Sequence, residues 1–147
     1  MSIHSAIARP WADQPRQDPN LLSPLALAQV GDTVYDLFVR TMLLDTMAAT
    51  PHKLHLAAAK LVCAAGQAAA FRRVEGALSQ QELSIYKRGR NAHSGTVPKN
   101  ASVADYHTAS GFEALLGYLY LSGQDQRMAQ IMGMGLALIP QEGYHDE

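Results

Sequence analysis

The chain has 147 residues, of which 48% are hydrophobic, and a formal net charge of −1 at pH 7. This length suits one domain with a sizeable core, and the composition excludes a disordered chain. Its apolar runs are shorter than the roughly 20 residues of a membrane span, and its start does not resemble a secretory signal. Its single cysteine excludes an internal disulfide. We therefore expect a cytoplasmic protein.

Charge is distributed unevenly along the chain. Residues 53–99 carry eight lysines and arginines against two acids, a net charge of +6, whereas the remainder carries four bases and eleven acids, a net charge of −7. This separation predicts one positive surface able to bind a polyanion. The balance is less basic than that of a dedicated nucleic-acid-binding domain, so charge gives such a function only moderate support.

Composition divides the chain into three segments. Residues 1–20 are interrupted by prolines and charges, and we expect them to form a poorly ordered extension. A single domain is predicted over residues 21–139, and a polar tail over residues 140–147.

Two long helices are predicted to open the domain. Ser23-Pro24 supplies an N-cap followed by a proline at the first helical position, and the apolar run after it predicts a buried helix to Ala48. Thr50-Pro51 repeats this signal and predicts a second helix to about Val74.

Three shorter helices are predicted next. Ser79–Glu82 is a capping box that begins a helix ending at Gly89. Another helix is expected from Ser102 to a stop at Gly123, and a last one over residues 124–138. Because the alternating β-branched residues typical of strands are absent, we predict an all-α domain of five or more helices.

The stretch from Arg88 to Asn100, RGRNAHSGTVPKN, is predicted to be a loop because two glycines and a proline interrupt it. It carries three cations and no acid, and its guanidinium, amide and hydroxyl groups suit phosphate and sugar oxygens. The candidate contacts are Arg88, Arg90, Asn91, Thr96, Lys99 and Asn100. A solvated connector is the alternative interpretation.

Two acids lie within apolar helical runs, where an unpaired carboxylate would be costly to bury. Asp32 lies in LALAQVGDTVYDLFVR and Glu113 in ASGFEALLGYLYLS. Gly31 and Gly111 lie close to them and would let two helices cross closely, which would bring the carboxylates together. Such a pair suits Mg²⁺, and a phosphate-binding loop beside it would suit phosphodiester hydrolysis. Alternatively, each acid pairs with a nearby base, such as Arg40 for the first.

Three further patterns are given non-catalytic interpretations. Asp36 lies one turn after the first acid, and we favour an ion pair with Arg40 over a supporting role in the metal site. His52 and His55 have helical ligand spacing but no third ligand nearby, so we predict no metal there. Cys63 lies in an alanine-rich helix and is expected to be a buried core residue.

Together these stretches resemble the Mini-III ribonucleases, the short members of the ribonuclease III family. The matching stretches are LSPLALAQVGDTVYDLFVR, RGRNAHSGTVPKN and GFEALLGYLYLSG, with the weaker HKLHLAAAKLVCAAGQAA between them. The resemblance covers about Leu22 to Met132. It implies an all-α ribonuclease III catalytic domain, a helical bundle that acts as a homodimer with Mg²⁺ on double-stranded RNA. By position, Asp32 and Glu113 fall on the family's catalytic, metal-binding acids, and the Arg88–Asn100 segment on the part that engages RNA.

Some positions depart from the larger ribonucleases III. Those enzymes carry further acids where this chain has Leu25, Ala28 and Ser110, and the Mini-III group also lacks them, so the resemblance implies a thinner metal shell. His93 stands where the group would have lysine. We expect the protein to act without the separate double-stranded-RNA-binding domain of the larger enzymes, so that affinity would come from the catalytic dimer or from a partner, with a ribosomal protein as the candidate helper.

By resemblance, the target would be the stem formed by the two ends of the 23S ribosomal RNA precursor, with maturation of that RNA as the role. Two other functions stay open from the sequence. One is a non-cleaving RNA-binding helical module, which the missing acids would permit. The other is a helical protein-interaction module that uses its apolar faces only.

Overall fold

The computed structural model describes residues 1–92, 97 and 102–140, and within these ranges the chain is helical without strands. The α-helices are α1 (Ile3–Ile7), α2 (Pro24–Thr46), α3 (Pro51–Val62), α4 (Ala64–Val74), α5 (Gln80–Asn91), α6 (Val103–Leu121) and α7 (Asp125–Gly135). Short 3₁₀ turns cover Arg9–Trp11, Pro19–Leu21 and Glu75–Ala77. The prediction of an all-α domain is therefore confirmed.

Side-chain caps begin the helices where the sequence predicts them. Ser23, Thr50, Ser79 and Ser102 each accept a hydrogen bond from the backbone N–H three residues later, which satisfies a donor that the first helical turn leaves free. The capping box at the start of α5 is complete. Gly123 ends the α6 segment in the left-handed region, with φ of 73°. Capping side chains therefore account for most of the helix starts.

Helix α6 lies at the centre of the domain and is buried on nearly all sides. It packs against α2, α4 and α5, and four of its apolar side chains, Phe112, Leu115, Leu116 and Leu119, are fully buried. The Tyr35 ring of α2 meets Phe112 edge-on, with the ring centroids 5.7 Å apart. A polar group in the second half of α6, from Ala109 to Leu119, therefore lies beside a closely packed core.

Glycines let α6 approach its neighbours closely. Where α2 crosses α6, a Cβ atom at Gly31 would overlap the backbone carbonyl of Glu113, and one at Gly117 would overlap that of Leu27. Gly111 was instead predicted to lie at this crossing, and that prediction is wrong. Gly111 packs against Tyr86 of α5. The glycine of α6 that faces α2 is Gly117, about one and a half turns further along the helix.

Helix α5 does not end at Gly89, as predicted, but continues to Asn91. A Cβ atom at Gly89 would lie 2.9 Å from the Gly111 Cα, so this glycine serves a helix crossing and not a stop. The segment predicted to be a loop from Arg88 therefore begins as the last turn of a helix. This correction gives Arg88 and Arg90 fixed positions relative to the core.

The predicted second helix is broken at Cys63 into α3 and α4, which are bent by 60°. Two side chains donate to the carbonyls that the break exposes: Tyr35 Oη to Leu61 O at 3.2 Å and Gln67 Nε2 to Val62 O at 3.0 Å. Cys63 itself is exposed, which corrects its predicted burial. No single helix in the described ranges is long and apolar enough to cross a membrane, and only the bent α3–α4 pair together reaches that length and composition.

The first 20 residues contact the domain at several points. The backbone N–H of Ile3 donates to Asp125 Oδ2 at 2.8 Å, and the Tyr118 hydroxyl donates to Asn20 Oδ1 at 3.0 Å. The predicted boundary at residue 21 stays a prediction. Of the predicted polar tail, residues 141–147 lie outside the described residues.

Candidate active site

The crossing of α2 and α6 brings Asp32 and Glu113 together. Gly31 precedes Asp32 and packs against the backbone of Glu113 itself, so both acids lie at the point of closest approach. Asp32 is exposed and Glu113 is partly buried. An acid within an apolar run would be expected to be buried, but Asp32 is exposed. The crossing leaves one edge of the carboxylate pair open to solvent.

Burial raises the pKa of Glu113 to about 8, with a further contribution from the negative charge of Asp32, while the neighbouring Gln67 amide acts in the opposite direction. Without a cation, Glu113 is therefore mostly protonated at neutral pH. A bound cation would reverse this balance, because it would favour the carboxylate at both acids. The pair is a site whose charge state depends on a positive ligand.

Gln67 completes this cluster and was not among the predicted site residues. Its Nε2 donates to Asp32 Oδ1 at 3.2 Å, and the Gln67 side chain lies close enough to Glu113 to lower the pKa of that acid. Only 1% of Gln67 is exposed, and its Oε1 is buried without a hydrogen-bond donor in the described part of the chain, a situation that costs about 1–3 kcal/mol. The sequence signal is an isolated amide in the run AAGQAAAF.

The donor set at the crossing fits a hard divalent cation. Asp32 and Glu113 supply carboxylate oxygens, and Mg²⁺ is commonly held by one or two carboxylates with water and substrate phosphate in the other positions. Within residues 1–92, 97 and 102–140, no group of three or more His, Cys, Asp or Glu side chains gathers. The thin metal shell that the resemblance implies, from Leu25, Ala28 and Ser110, stays a prediction.

Of the predicted phosphate-contacting residues, three belong to the described helix α5. Arg88 and Asn91 are exposed, whereas Arg90 is partly buried with its guanidinium 5.7 Å from the centre of the Tyr86 ring. Thr96, Lys99 and Asn100, together with His93, lie outside the described residues. The structure therefore fixes only the first part of this segment.

Three neighbours of these residues on α5 were not predicted from the sequence. Gln80, Ser84 and Lys87 line a polar depression of about 310 Å³ with Arg88 and Asn91. Their spacing of three or four residues places them on one helix face, which is the signal that could have found them. This face offers cationic, amide and hydroxyl donors along three turns of helix.

An apolar groove of about 570 Å³ runs along α2 on another part of the surface. Its lining has no charged residue and includes Val34, Leu37, Phe38 and Tyr120. Leu37 is 67% exposed, and Leu44, two turns further along α2, is 69% exposed. An uncharged groove of this size on a small domain indicates a surface for association.

One of the non-catalytic predictions can be compared with the structure here. Asp36 pairs with Arg40 at 2.7 Å between Oδ1 and Nε, which confirms the favoured surface ion pair. His55 Nδ1 lies 3.5 Å from the same guanidinium, and the prediction that His52 and His55 bind no metal stays a prediction.

Comparison with known proteins identifies the family. Residues 25–124 match the sequence profile of the Ribonuclease III domain. The chain is 44% identical over 126 residues to the Mini-ribonuclease 3 of Brevibacillus brevis. The aligned region covers 86% of this chain and 94% of that protein. It is 38% identical over 132 residues to the Mini-ribonuclease 3 of Clostridium tetani, and this aligned region covers 89% of this chain and 87% of that protein.

A crystal structure of a protein from Fusobacterium nucleatum has the same fold, with a TM-score of 0.73 at 24% identity, over 83% of this chain and 98% of that one. The profile match spans both acids of the α2–α6 crossing and the whole of α5. The chain therefore belongs to the ribonuclease III family, within its Mini-ribonuclease 3 group.

Proposed function

We propose that this protein, an endoribonuclease of the ribonuclease III family, cleaves double-stranded RNA with Mg²⁺ held by Asp32 and Glu113. The observation that carries this proposal is the carboxylate pair at the α2–α6 crossing, where the pKa of Glu113 is raised to about 8 by burial and by Asp32. A site of this kind is stabilised by a divalent cation. The family supplies the reaction and the substrate class, and the geometry supports these two residues as the site.

Mg²⁺ bound there would supply a Lewis acid for the phosphodiester and a water of lowered pKa. The chain's own residues would bind the ion and orient the substrate. Exposed Asp32 faces the side from which RNA can approach, and partly buried Glu113 anchors the site to the core. Cations of α5, together with Lys99, would bind phosphates, and Asn91, Thr96 and Asn100 would donate hydrogen bonds to phosphate and sugar oxygens.

We further propose that the protein acts as a homodimer through the uncharged groove on α2. Leu37 and Leu44 expose apolar surface that the monomer core leaves uncovered. A second copy is the occupant whose surface matches, because a two-fold contact places the same uncharged face on both sides. Such a dimer would present two carboxylate sites to opposite strands of one duplex and produce staggered cuts with 5′-phosphates and short 3′ overhangs.

The natural target that the family resemblance supports is the stem formed by the two ends of the 23S ribosomal RNA precursor, processed in the cytoplasm. Duplex RNA presents phosphates and 2′-hydroxyls across its minor groove, which suits the donors on α5. A ribosomal protein that presents or shapes the stem is the candidate helper. Fully mature 23S ends in a deletion strain would direct the search to another RNA.

The experiment that tests the activity compares duplex and single-stranded RNA of the same sequence, each with and without Mg²⁺. We expect cleavage of the duplex only, and only with the metal. Binding of duplex RNA without cleavage would instead support a non-cleaving module, and the absence of both would leave a protein-interaction role for the apolar groove.

A further inference from the structure

Gln67 differs from the other buried polar side chain in the described ranges. That other residue, Glu82, lies 2.8 Å from the Arg127 guanidinium and also caps the start of α5, so its charge is compensated. Gln67 is more deeply buried, and one of its two polar atoms, Oε1, has no donor. A buried polar atom without a partner calls for a physical reason.

The surroundings of Gln67 fix the orientation of its amide. Nε2 donates to Val62 O at 3.0 Å and to Asp32 Oδ1 at 3.2 Å, and both of these atoms are acceptors. Turning the amide over would place Oε1 against those oxygens and lose both hydrogen bonds. Oε1 therefore stays without a partner because Nε2 is required where it lies.

The contacts of Nε2 connect three elements at one point. Gln67 itself belongs to α4, Val62 ends α3, and Asp32 belongs to α2, while Glu113 of α6 lies beside this cluster, where Gln67 lowers its pKa. An apolar residue of similar size would fill the same space without a buried orphan oxygen. What only the amide provides is N–H donation to the Asp32 carboxylate, next to Glu113, from a position tied to the backbone of α3.

We propose that Gln67 is a positioning residue that holds the Asp32 and Glu113 carboxylates at the spacing a divalent cation needs. This inference rests on the proposed metal-binding role of the two acids. The hydrogen bond to Val62 O anchors the amide, and the second N–H, which donates to Asp32 Oδ1, restrains that carboxylate beside Glu113. Groups that orient metal ligands in this way commonly change metal affinity ten- to a hundred-fold when removed.

The test replaces the amide with an apolar side chain of similar length, Gln67→Met, and titrates the protein with Mg²⁺ alone. Binding is read from the rise in melting temperature without RNA, and separately from cleavage of duplex RNA. We expect the half-saturating Mg²⁺ concentration to rise roughly ten- to a hundred-fold in both measurements. Affinity for duplex RNA without metal should stay within about twofold of the parent, since Gln67 is buried and does not face RNA.

Tyr35→Phe is the matched control, because it removes the other side-chain donor to the end of α3 without touching either acid. It should lower the melting temperature and leave the Mg²⁺ requirement unchanged. The inference is overturned if Gln67→Met keeps the parent's Mg²⁺ requirement, or if Tyr35→Phe shifts it equally, since the effect would then come from the α3–α4 junction. Should Gln67→Met fail to fold, Gln67→Leu is measured against the same two criteria.

Asp32→Asn separates this inference from the proposed function on which it rests. If Asp32→Asn leaves Mg²⁺ binding unchanged, the metal site itself is misassigned. If Asp32→Asn abolishes Mg²⁺ binding and Gln67→Met behaves as the parent, only the positioning role of Gln67 is rejected.

Discussion

Gly31 of α2 lies directly against the backbone carbonyl of Glu113 in α6, so closely that any Cβ atom at position 31 would overlap the carbonyl oxygen. The two candidate catalytic acids therefore owe their proximity to a glycine. Because neither helix can bend away without disturbing a filled core, the distance between the helices and the geometry of the site are linked.

Gly31→Ala should consequently separate α2 from α6 and impair cleavage more than a simple change of helix propensity would. We expect a loss of about 1–3 kcal/mol in the free energy of unfolding, as for other overpacked positions. Chemical denaturation and cleavage rates measure the two effects. Gly133→Ala is the control, since a Cβ there meets only the side chain of Ile139, at 3.3 Å, which can move. Equal, near-parent behaviour of both variants would contradict the close crossing.

Asp32→Asn and Glu113→Gln should each abolish cleavage while leaving the fold and RNA binding largely intact, because each removes a charge proposed to hold the metal. Cleavage assays, circular dichroism and RNA-binding measurements check the three parts. Asp36→Asn serves as the control, since its carboxylate pairs with Arg40 on the same helix. Near-parent turnover in either active-site variant would refute the assignment.

The metal requirement should depend on pH through Glu113. Its pKa is raised to about 8 without metal, so below pH 8 a cation must displace a proton before the carboxylate can bind it. The half-saturating Mg²⁺ concentration should fall about tenfold per pH unit from pH 6.5 toward 8 and level off above that. Thermal-shift titrations at several pH values measure this, and a flat Mg²⁺ requirement across that range would count against the raised pKa.

Stability of the metal-free protein should respond to the same group with a definite sign. An acid whose pKa is raised on folding binds more protons in the folded state, so stability falls as pH rises from about 4.5 to about 8. Glu113→Gln should remove this dependence and stabilise the metal-free protein by on the order of 4 kcal/mol at pH 8, with no gain at pH 4. Melting temperatures of both proteins across this range, without divalent ions, provide the comparison.

Much of the helical layout was predictable because it depends on local chemistry. Ser23, Thr50, Ser79 and Ser102 mark helix starts through their own side chains, and Gly123 needs a positive φ. Gly89 was wrongly predicted to end a helix, and the error has a physical reason. A glycine that ends a helix and a glycine that lets two helices touch look alike until the partner helix is known.

The site was predictable only in part. Asp32 and Glu113 could be identified because carboxylates are costly in apolar helices, and a family resemblance supports them. The glycine opposite Gly31 could not be identified, since the register between α2 and α6 depends on packing along their whole length. Gln67 was missed because its importance comes from the 60° bend between α3 and α4, which no local pattern marks.

Replacing Arg88, Arg90 and Lys99 together with alanine should weaken binding to duplex RNA regardless of sequence. The slope of log affinity against log salt should decrease in magnitude by up to about three, since each lost phosphate contact contributes about one. Binding isotherms at several salt concentrations measure the slope. Arg9→Ala with Arg16→Ala, two exposed arginines outside the basic segment, is the control. An unchanged slope in the triple variant would reduce the segment to a connector.

Leu37→Glu should place a charge in the centre of the uncharged groove and yield a monomer that no longer cleaves duplex RNA. Light scattering measures the mass, and the cleavage assay measures the activity. Leu56→Glu is the matched control, because Leu56 is 49% exposed on α3 and does not line the groove. A monomeric mass for the active parent protein would refute the dimer.

The bend at Cys63 has a consequence for how the chain can vary in length. Gln67 lies in the first turn of α4, and each residue added to a helix rotates the residues after it by about 100°. One residue inserted between Cys63 and Gln67 would turn the amide away from both acids, whereas one inserted at Ala48, between α2 and α3, would only lengthen a connection. Natural insertions and deletions should therefore be tolerated before α3 and excluded from the four residues after the bend.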